Sequence, residues 1–405
     1  MSQNAKACKD DRVGRRLCVL TTTYPRDELD SCPPFVYELC RQLAADFHVT
    51  VIAPAVEGAI SGQWQGVQVI RYRYAPRRFQ TLAAGGGILP NLRRAPWQLI
   101  WLPGLILAQA LTLWRHRQDF DLIHAHWLVP QGALAVAIAG SRPVVCTAHG
   151  ADVLALRGAL WNALRRWVMG RSALTLAVSP ALQETLQSQA GKRVELRTLS
   201  MGLDLQRFAP SLAAGVTTPE RLLFVGRLVP KKGLAELLHS LALLVEKRPQ
   251  IMLDVAGDGP ERSRLQSLVS ELGLDGRVRF LGGVAPLHLP ALYVGAAAVA
   301  LPFVQAADGD AEGLGLTLLE ALACGCKVVA GQVPAQQTLL QGLPGLWVCA
   351  AADSAALAAN LADALDTPAD PQQLRAARQE LLEDYGWPAI AAAHAVLFKR
   401  VLSQP

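Results

Sequence analysis

A chain of 405 residues, half of them hydrophobic, has room for two domains of about 100–200 residues each and enough Ala, Leu and Val for large cores. Its formal charge of +6 suits an anionic ligand or an anionic membrane surface, but no basic stripe with interleaved stacking aromatics marks a nucleic-acid module. The eight cysteines include no C-x-x-C pair, and none of them is supported by a histidine at zinc spacing, so a disulfide framework and a zinc site are both disfavoured and a reducing cytoplasmic setting is expected.

The polar start, MSQNAKACKDDRVGRR, lacks the apolar core of a signal peptide. RLCVLTTTYP then reads as a first strand, FVYELCRQLAADF as a helix and HVTVIAP as a second strand, the opening of a doubly wound α/β unit. VQVIRYRYAP is strand-like, and the stretch up to about residue 96 is read as irregular. Arg71, Arg73, Arg77, Arg78, Arg93 and Arg94 lie there among Tyr72, Tyr74, Phe79 and Trp97. That mixture suits an anionic membrane surface, with an anionic glycan or plain solvent as the other readings. WQLIWLPGLILAQALTLW contains Pro103, Gly104 and two glutamines, which favours a buried or interfacial helix over a membrane span.

Strands and helices then alternate. DLIHAHW, PVVCTAHG, LTLAVSP and VELRTLS are the strands, and the helical periods lie between them. APSLAAGVTTPE loses the apolar period and reads as a linker. The alternation restarts with RLLFVGRL, IMLDVAG and RVRFLGG, each followed by a helical stretch. Two such halves predict two parallel-sheet domains facing a cleft, with ligands beyond the carboxyl ends of the strands.

The richest stretch is DGDAEGLGLTLLEALACGCKVVA, residues 308 to 330. It reads as a glycine loop, a helix and a strand, following the strand AAAVALP. A helix N-terminus with free backbone N–H groups suits a phosphate. Glu312 in the loop and Glu320 inside the helix, seven residues apart, suit sugar hydroxyls on either side of a diphosphate. Two glutamates at a fixed spacing are also common on solvated surfaces. Arg227 and Lys232, beside Gly226 and Gly233 in FVGRLVPKKG, form either a diphosphate clamp or a solvated basic loop. Lys231 is expected to face outward.

These segments resemble, in order, the retaining GT-B glycosyltransferases of family 4. The matching pieces are DLIHAHW, PVVCTAHGADV, AVSP and MGLDLQRFAP in the first half, and GRLVPKKG, VAGDGPER, VRFLG and EGLGLTLLEALACG in the second; the likeness runs from about residue 17 to 395. It implies a GT-B fold, two doubly wound Rossmann-like domains facing a central cleft. The domains would be 17–208 on the acceptor side and 221–384 for the nucleotide-sugar donor, joined by a linker at 209–220, with 385–405 as a helix crossing back to the first domain.

The resemblance also implies roles. Glu320 would hold the ribose and Glu312 the transferred sugar. Backbone N–H groups of Gly313, Leu314 and Gly315 would cradle the distal phosphate, with Arg227 and Lys232 neutralising the leaving diphosphate beside Gly226. Arg279 would lie by the base, largely through its backbone, and His149 would touch the donor sugar near the reaction centre. No cofactor and no metal would be needed, the donor being a nucleotide diphosphate sugar and the acceptor a glycan or lipid-linked molecule. The expected setting is cytoplasmic, with the N-terminal domain peripheral on an anionic inner membrane face. Two departures stand out: YPRDELDSCPPF lacks the paired glycines of the family's first loop, and GQVPA carries Ala335 where a glutamate is frequent. A nucleotide-sugar epimerase and a non-catalytic binding protein on the same architecture are the alternative functions. A dinucleotide dehydrogenase is disfavoured because no G-x-G-x-x-G opens either half.

Overall fold

The computed structural model describes residues 14–404 apart from 28–29, 31, 33, 85–86, 192–193, 205–207, 209–217, 308–310, 313–314, 333–342, 351 and 369. The first domain is built on a sheet of eight strands: β1 (Arg15–Leu20), β2 (Phe47–Pro54), β3 (Gly62–Trp64), β4 (Val67–Tyr72), β5 (Leu122–His126), β6 (Val144–Ala148), β7 (Leu174–Ala177) and β8 (Leu196–Thr198). The second has six: β9 (Arg221–Val225), β10 (Met252–Ala256), β11 (Val278–Gly282), β12 (Ala298–Leu301), β13 (Val328–Gln332) and β14 (Leu346–Ala350).

The spatial orders are β3-β4-β2-β1-β5-β6-β7-β8 and β11-β10-β9-β12-β13-β14, all parallel except the short pairing of β3 with β4. Central strands such as β5, β6 and β12 are buried along their whole length. That is why β12, and β6 apart from Thr147, read as apolar runs: helices cover both faces of a parallel sheet. In each sheet the first strand is central and the order reverses beside it, between β1 and β5 and between β9 and β12. The crevice at that reversal is where such sheets bind ligands.

One close approach holds the second domain's loops in place, and another seats the returning chain end on the first domain. Gly233 has φ +69° and starts the helix Leu234–Val245; a Cβ there would lie 1.8 Å from the Pro302 carbonyl oxygen. The chain end returns to the first domain as the helix Trp387–Ser403, which packs Trp387, Ile390, Phe398 and Val401 into the core containing Val36, Leu39 and Phe47. Where it crosses, the Leu203 amide donates to the Tyr385 carbonyl at 2.6 Å and the Trp387 amide to the Leu203 carbonyl at 3.3 Å. A Cβ at Gly202 would fall 2.3 Å from the Trp387 indole, so only glycine lets that ring seat.

Several expectations are corrected. The stretch read as irregular contains a single turn at Arg77–Phe79 and a helix at Ile88–Arg94. Arg71, Tyr72 and Tyr74 are not at the surface. The Arg71 guanidinium donates to the carbonyls of Tyr24, Pro25 and Pro54 at 2.6–3.3 Å and ties down the loop after β1, while both tyrosines are buried. For the tyrosines the reason is period, alternate residues there facing the core; for Arg71, on the other face, it is the set of loop carbonyls it binds. β14 and the helices Ser354–Asp366 and Pro371–Tyr385 fall where no element was read. There the chain is rich in Ala and poor in large apolar side chains, so its helical period has little contrast. Most of the 209–220 linker lies outside the described residues.

Pro96–Asp119 is a 24-residue helical stretch long and apolar enough to cross a membrane. In the fold, Leu105, Gln109 and Leu113 form its buried edge, and the Gln109 amide donates to the Thr21 carbonyl at 3.3 Å. Trp97, Leu99, Ile100, Leu107, Leu111 and Trp114 remain exposed on it.

Candidate active site between the two domains

A cavity of about 270 Å³ lies between the domains. The first domain lines it with Phe35, His149, Gly150 and Met201, among others, and the second with Lys231, Lys232, Glu312, Gly315 and Thr317. Every one of these follows the carboxyl end of a strand or opens the helix beyond it. The turn Pro230–Lys232 follows β9, Glu312 and Gly315 follow β12, and His149 is the residue after β6.

Lys232 Nζ stands 2.9 Å from Glu312 Oε2, both side chains being largely shielded at 13% and 15% exposure, and 4.9 Å over the Phe303 ring. Burial pushes the Glu312 carboxyl up. The Lys232 and Lys231 charges, a Lys232 hydrogen bond and the Gly315 amide outweigh it, so the carboxyl sits below the ordinary range and is ionised at neutral pH. Lys231 corrects an expectation, since it lines the cavity and donates to the Ala311 carbonyl at 3.3 Å. A single turn points successive side chains roughly a third of a circle apart, so neighbouring lysines can both reach one cavity. Gly315 has φ +71° and caps the helix Leu316–Ala323, turning that N-terminus toward the same space.

Arg227 is half-buried off this cavity's lining, and burial together with the Arg93 charge from the other domain pulls its guanidinium below the usual value. Gly226 is packed by the Ala256 carbonyl, which its amide reaches at 3.0 Å. Glu320 accepts from the fully buried Tyr293 hydroxyl at 2.9 Å, so its carboxylate is held one and a half turns along the helix. Arg279 sits at the second residue of the edge strand β11, away from that strand's carboxyl end. Its guanidinium makes a paired contact with Asp254 at 2.9 and 2.7 Å, so its side chain is committed there. Gly313 and Leu314 lie outside the described residues.

His149 is held by groups the sequence did not single out. Asp152 Oδ1 accepts from the backbone amides of His149 and Gly150, both at 3.2 Å, and Oδ2 from Leu128 at 2.7 Å. Burial still lifts this carboxyl to about 6. Beneath it the buried Arg165 donates to the carbonyls of Asp152 and Leu156 at 3.1 and 2.8 Å. The His149 ring lies 5.0 Å from Phe35 and 4.9 Å from Trp127 between centroids, and its Nε2 is 2.9 Å from His126 Nδ1. Burial pulls its pKa down to about 3. One signal was available: H-x-H in a strand puts His124 and His126 on one face. The Tyr293–Glu320 and Asp254–Arg279 pairs join distant segments and left none. Among the described residues no group of three His, Cys, Asp or Glu could hold a metal ion.

Taken together, the cavity has two cations, a helix N-terminus and one ionised carboxylate on one wall, and a neutral imidazole on the other. It can bind a diphosphate and the hydroxyls beside it away from bulk water.

Comparison with known proteins agrees with this geometry. Residues 34–207 match the family model "Glycosyltransferase Family 4" and residues 213–381 the model "Glycosyl transferases group 1". A glycogen synthase of Mycobacterium tuberculosis is 27% identical over 423 residues, covering 96% of each chain. A GDP-mannose-dependent alpha-(1-6)-phosphatidylinositol monomannoside mannosyltransferase of Mycolicibacterium smegmatis is 33% identical over 264 residues, 62% of this chain and 68% of its own. Among solved structures, the sucrose-phosphate synthase of Thermosynechococcus elongatus superposes with a TM-score of 0.76 at 21% identity, over 96% of this chain and 99% of its own. HepE of Anabaena in complex with UDP-glucose superposes with a TM-score of 0.71 at 18% identity, over 95% and 99%. At those identities the structures speak for the fold.

Proposed function

Since the chain belongs to the group 1, family 4 glycosyltransferases of GT-B fold, we propose that it moves a hexose from a nucleoside diphosphate sugar to a glycan or lipid-linked acceptor with retention of configuration. The observation that carries this reading is the interdomain cavity in which Lys231, Lys232, Glu312 and the Gly315 helix start face His149. In the proposed reaction the bond from the sugar's anomeric carbon to the diphosphate breaks. A bond from the acceptor oxygen to the same face of that carbon forms, and the acceptor proton passes to a diphosphate oxygen. Lys232, with Arg227 and Lys231, offsets the charge that develops on the leaving group, aided by the helix N-terminus. Glu312 accepts from hydroxyls of the transferred sugar and Glu320 from the ribose. With that charge supplied by side chains, the reaction is proposed to run without a divalent cation.

Acceptors on or near a membrane fit the outer face of the first domain. No Asp or Glu occurs between Glu57 and Asp119, whereas that stretch contains Arg77, Arg78 and Arg94, and Trp97, Leu99 and Ile100, close to Arg94 in the chain, are exposed. Arginines near anionic headgroups contribute about 1 kcal/mol each, and tryptophan favours the headgroup zone. The reading places the enzyme peripherally on the anionic inner face of the cytoplasmic membrane, acting in cell-surface polysaccharide or glycolipid synthesis.

A panel of nucleotide sugars, scored first by thermal stabilisation and then by transfer, tests the donor, because a ligand of the folded state raises its melting temperature. One nucleotide sugar should stabilise the protein and give a product of unchanged anomeric configuration, and EDTA should leave the rate intact. An inverted product, or activity lost to EDTA and restored by manganese, refutes the mechanism. Co-sedimentation with anionic but not neutral vesicles, reversed by salt, is expected; failure to bind anionic vesicles at low salt removes the membrane reading.

A further inference from the structure

His149 does not stand alone behind the cavity wall. It begins a run of four imidazoles, half of the chain's eight histidines. Its Nε2 meets His126 Nδ1 at 2.9 Å. The His126 ring lies 4.3 Å from that of His124, and His124 lies 5.9 Å from His394 on the C-terminal helix, measured between centroids. His124, His126 and His394 are each 0% exposed.

The hydrogen-bond inventory decides where the protons are. His394 Nδ1 faces the Ile390 carbonyl at 2.9 Å, and a carbonyl only accepts, so that nitrogen carries the proton. His124 Nε2 faces Thr147 Oγ1 at 2.8 Å. The nitrogens left without a partner are His394 Nε2, His124 Nδ1 and His126 Nε2. A buried N–H with no acceptor is the arrangement folded proteins avoid most strictly. The neutral state free of such an orphan has each unpartnered nitrogen bare. His126 is then protonated on Nδ1, and that N–H donates to His149 Nε2. With its Nε2 accepting, neutral His149 carries its own proton on Nδ1.

We propose that His126 is a positioning residue that fixes neutral His149 as an Nδ1–H donor at the interdomain cavity, with the basic nitrogen of His149 turned inward and already occupied. His149 therefore donates a hydrogen bond to a ligand oxygen and does not remove the acceptor proton. That consequence rests on the proposed transfer reaction; the tautomer itself does not. The low pKa of His149, His126 and His124, caused chiefly by burial, keeps the run neutral across the working range.

The test uses the full chain labelled with 15N-histidine and needs no substrate. Long-range proton–nitrogen correlation at pH 7.5 separates protonated from bare ring nitrogens, with His149 assigned by its loss in His149→Asn. The expected result is Nδ1–H and bare Nε2 for both His149 and His126. A proton on His149 Nε2 overturns the proposal, whether or not transfer is observed. In His126→Leu the constraint is removed, and His149 should show both tautomers. In the same variant kcat should fall about tenfold at unchanged donor KM, the loss of one oriented hydrogen bond. A His149 that keeps the single Nδ1–H form in His126→Leu takes the role away from His126. If that variant does not fold, the spectrum of the unmodified protein still decides the tautomer. If transfer fails while the tautomer holds, the proposed reaction is at fault and the positioning assignment stands.

Discussion

Lys232 and Glu312 neutralise each other at 2.9 Å in a space largely shielded from water, so neither can be removed without leaving the other's charge unpaired. Lys232→Ala is expected to reduce kcat by one to two orders of magnitude even with saturating magnesium, since a charged hydrogen bond contributes about 1.5–3 kcal/mol. Glu312→Gln should mainly slow transfer, whereas Glu320→Ala, further along the helix, should mainly raise donor KM. Parent-level steady-state kinetics in all three variants would discard the site. Asp152 invites a finer test. Its two oxygens accept from three backbone amides, and an asparagine can supply only one acceptor oxygen. Asp152→Asn therefore turns an NH2 toward a backbone N–H and should lower stability by about 1–3 kcal/mol. It should also lower kcat, because the amides of His149 and Gly150 lose their anchor. Unchanged urea unfolding in that variant would contradict the geometry.

At the scale of elements, the second domain's wall of the cavity depends on two loops touching. The Gly233 Cα approaches the Pro302 carbonyl so closely that any side chain collides, and its φ of +69° is unfavourable for other residues. Gly233→Ala should shift the turn Pro230–Lys232 away from the segment after β12 and separate Lys232 from Glu312. A stability loss of more than about 2 kcal/mol, with kcat falling alongside, is the expected outcome. Calorimetry and single-turnover transfer rates on the purified variant would check it, and a melting temperature equal to the parent's would show that the contact is not needed. The helix Trp387–Ser403 has a comparable role between domains. By packing into the first domain's core it brings His394 behind His124, and it ties the chain's end to the crossing at Leu203.

Across the whole molecule, the buried histidines predict how stability depends on pH. Burial depresses all four: His394 to about 4, His149 to about 3, and His124 and His126 well below 6.5. An unfolded histidine takes up a proton as pH falls through about 6.5, and the folded ones refuse it, so the folded state loses stability from there downward. Asp152 acts in the opposite sense. Its folded pKa of about 6 exceeds the ordinary 3.8, so between those values the folded state binds the extra proton and gains. Four groups oppose one, each worth about 1.4 kcal/mol per pH unit in its window. The free energy of unfolding by urea should therefore be level between about pH 7 and 8 and fall steeply between about pH 6.5 and 5. His394→Leu should make that fall shallower. A stability curve flat from pH 7.5 to 5.5 would contradict the neutral histidine run.

The alternation of apolar runs and helical periods, read along the chain, was enough to define two parallel-sheet halves. Their order then carries the ligand crevice, because connections in such sheets are right-handed and short. The series from DLIHAHW to EGLGLTLLEALACG placed Lys232, Glu312 and Gly315 near one another for the same reason: each lies just past a strand end or at the start of the helix that follows. What lay beyond the sequence was pairing between segments far apart in it. Lys231 turned inward, Arg71 spent its charge on buried carbonyls, the Arg279 side chain paired with Asp254, and Tyr293 took hold of Glu320. Hydropathy records whether a side chain prefers water, and its period records which face it occupies. Neither records which partner from another strand satisfies a buried charge or an imidazole proton. That choice is made only when the strands lie side by side, and it decides that His126, 23 residues away, stands against His149.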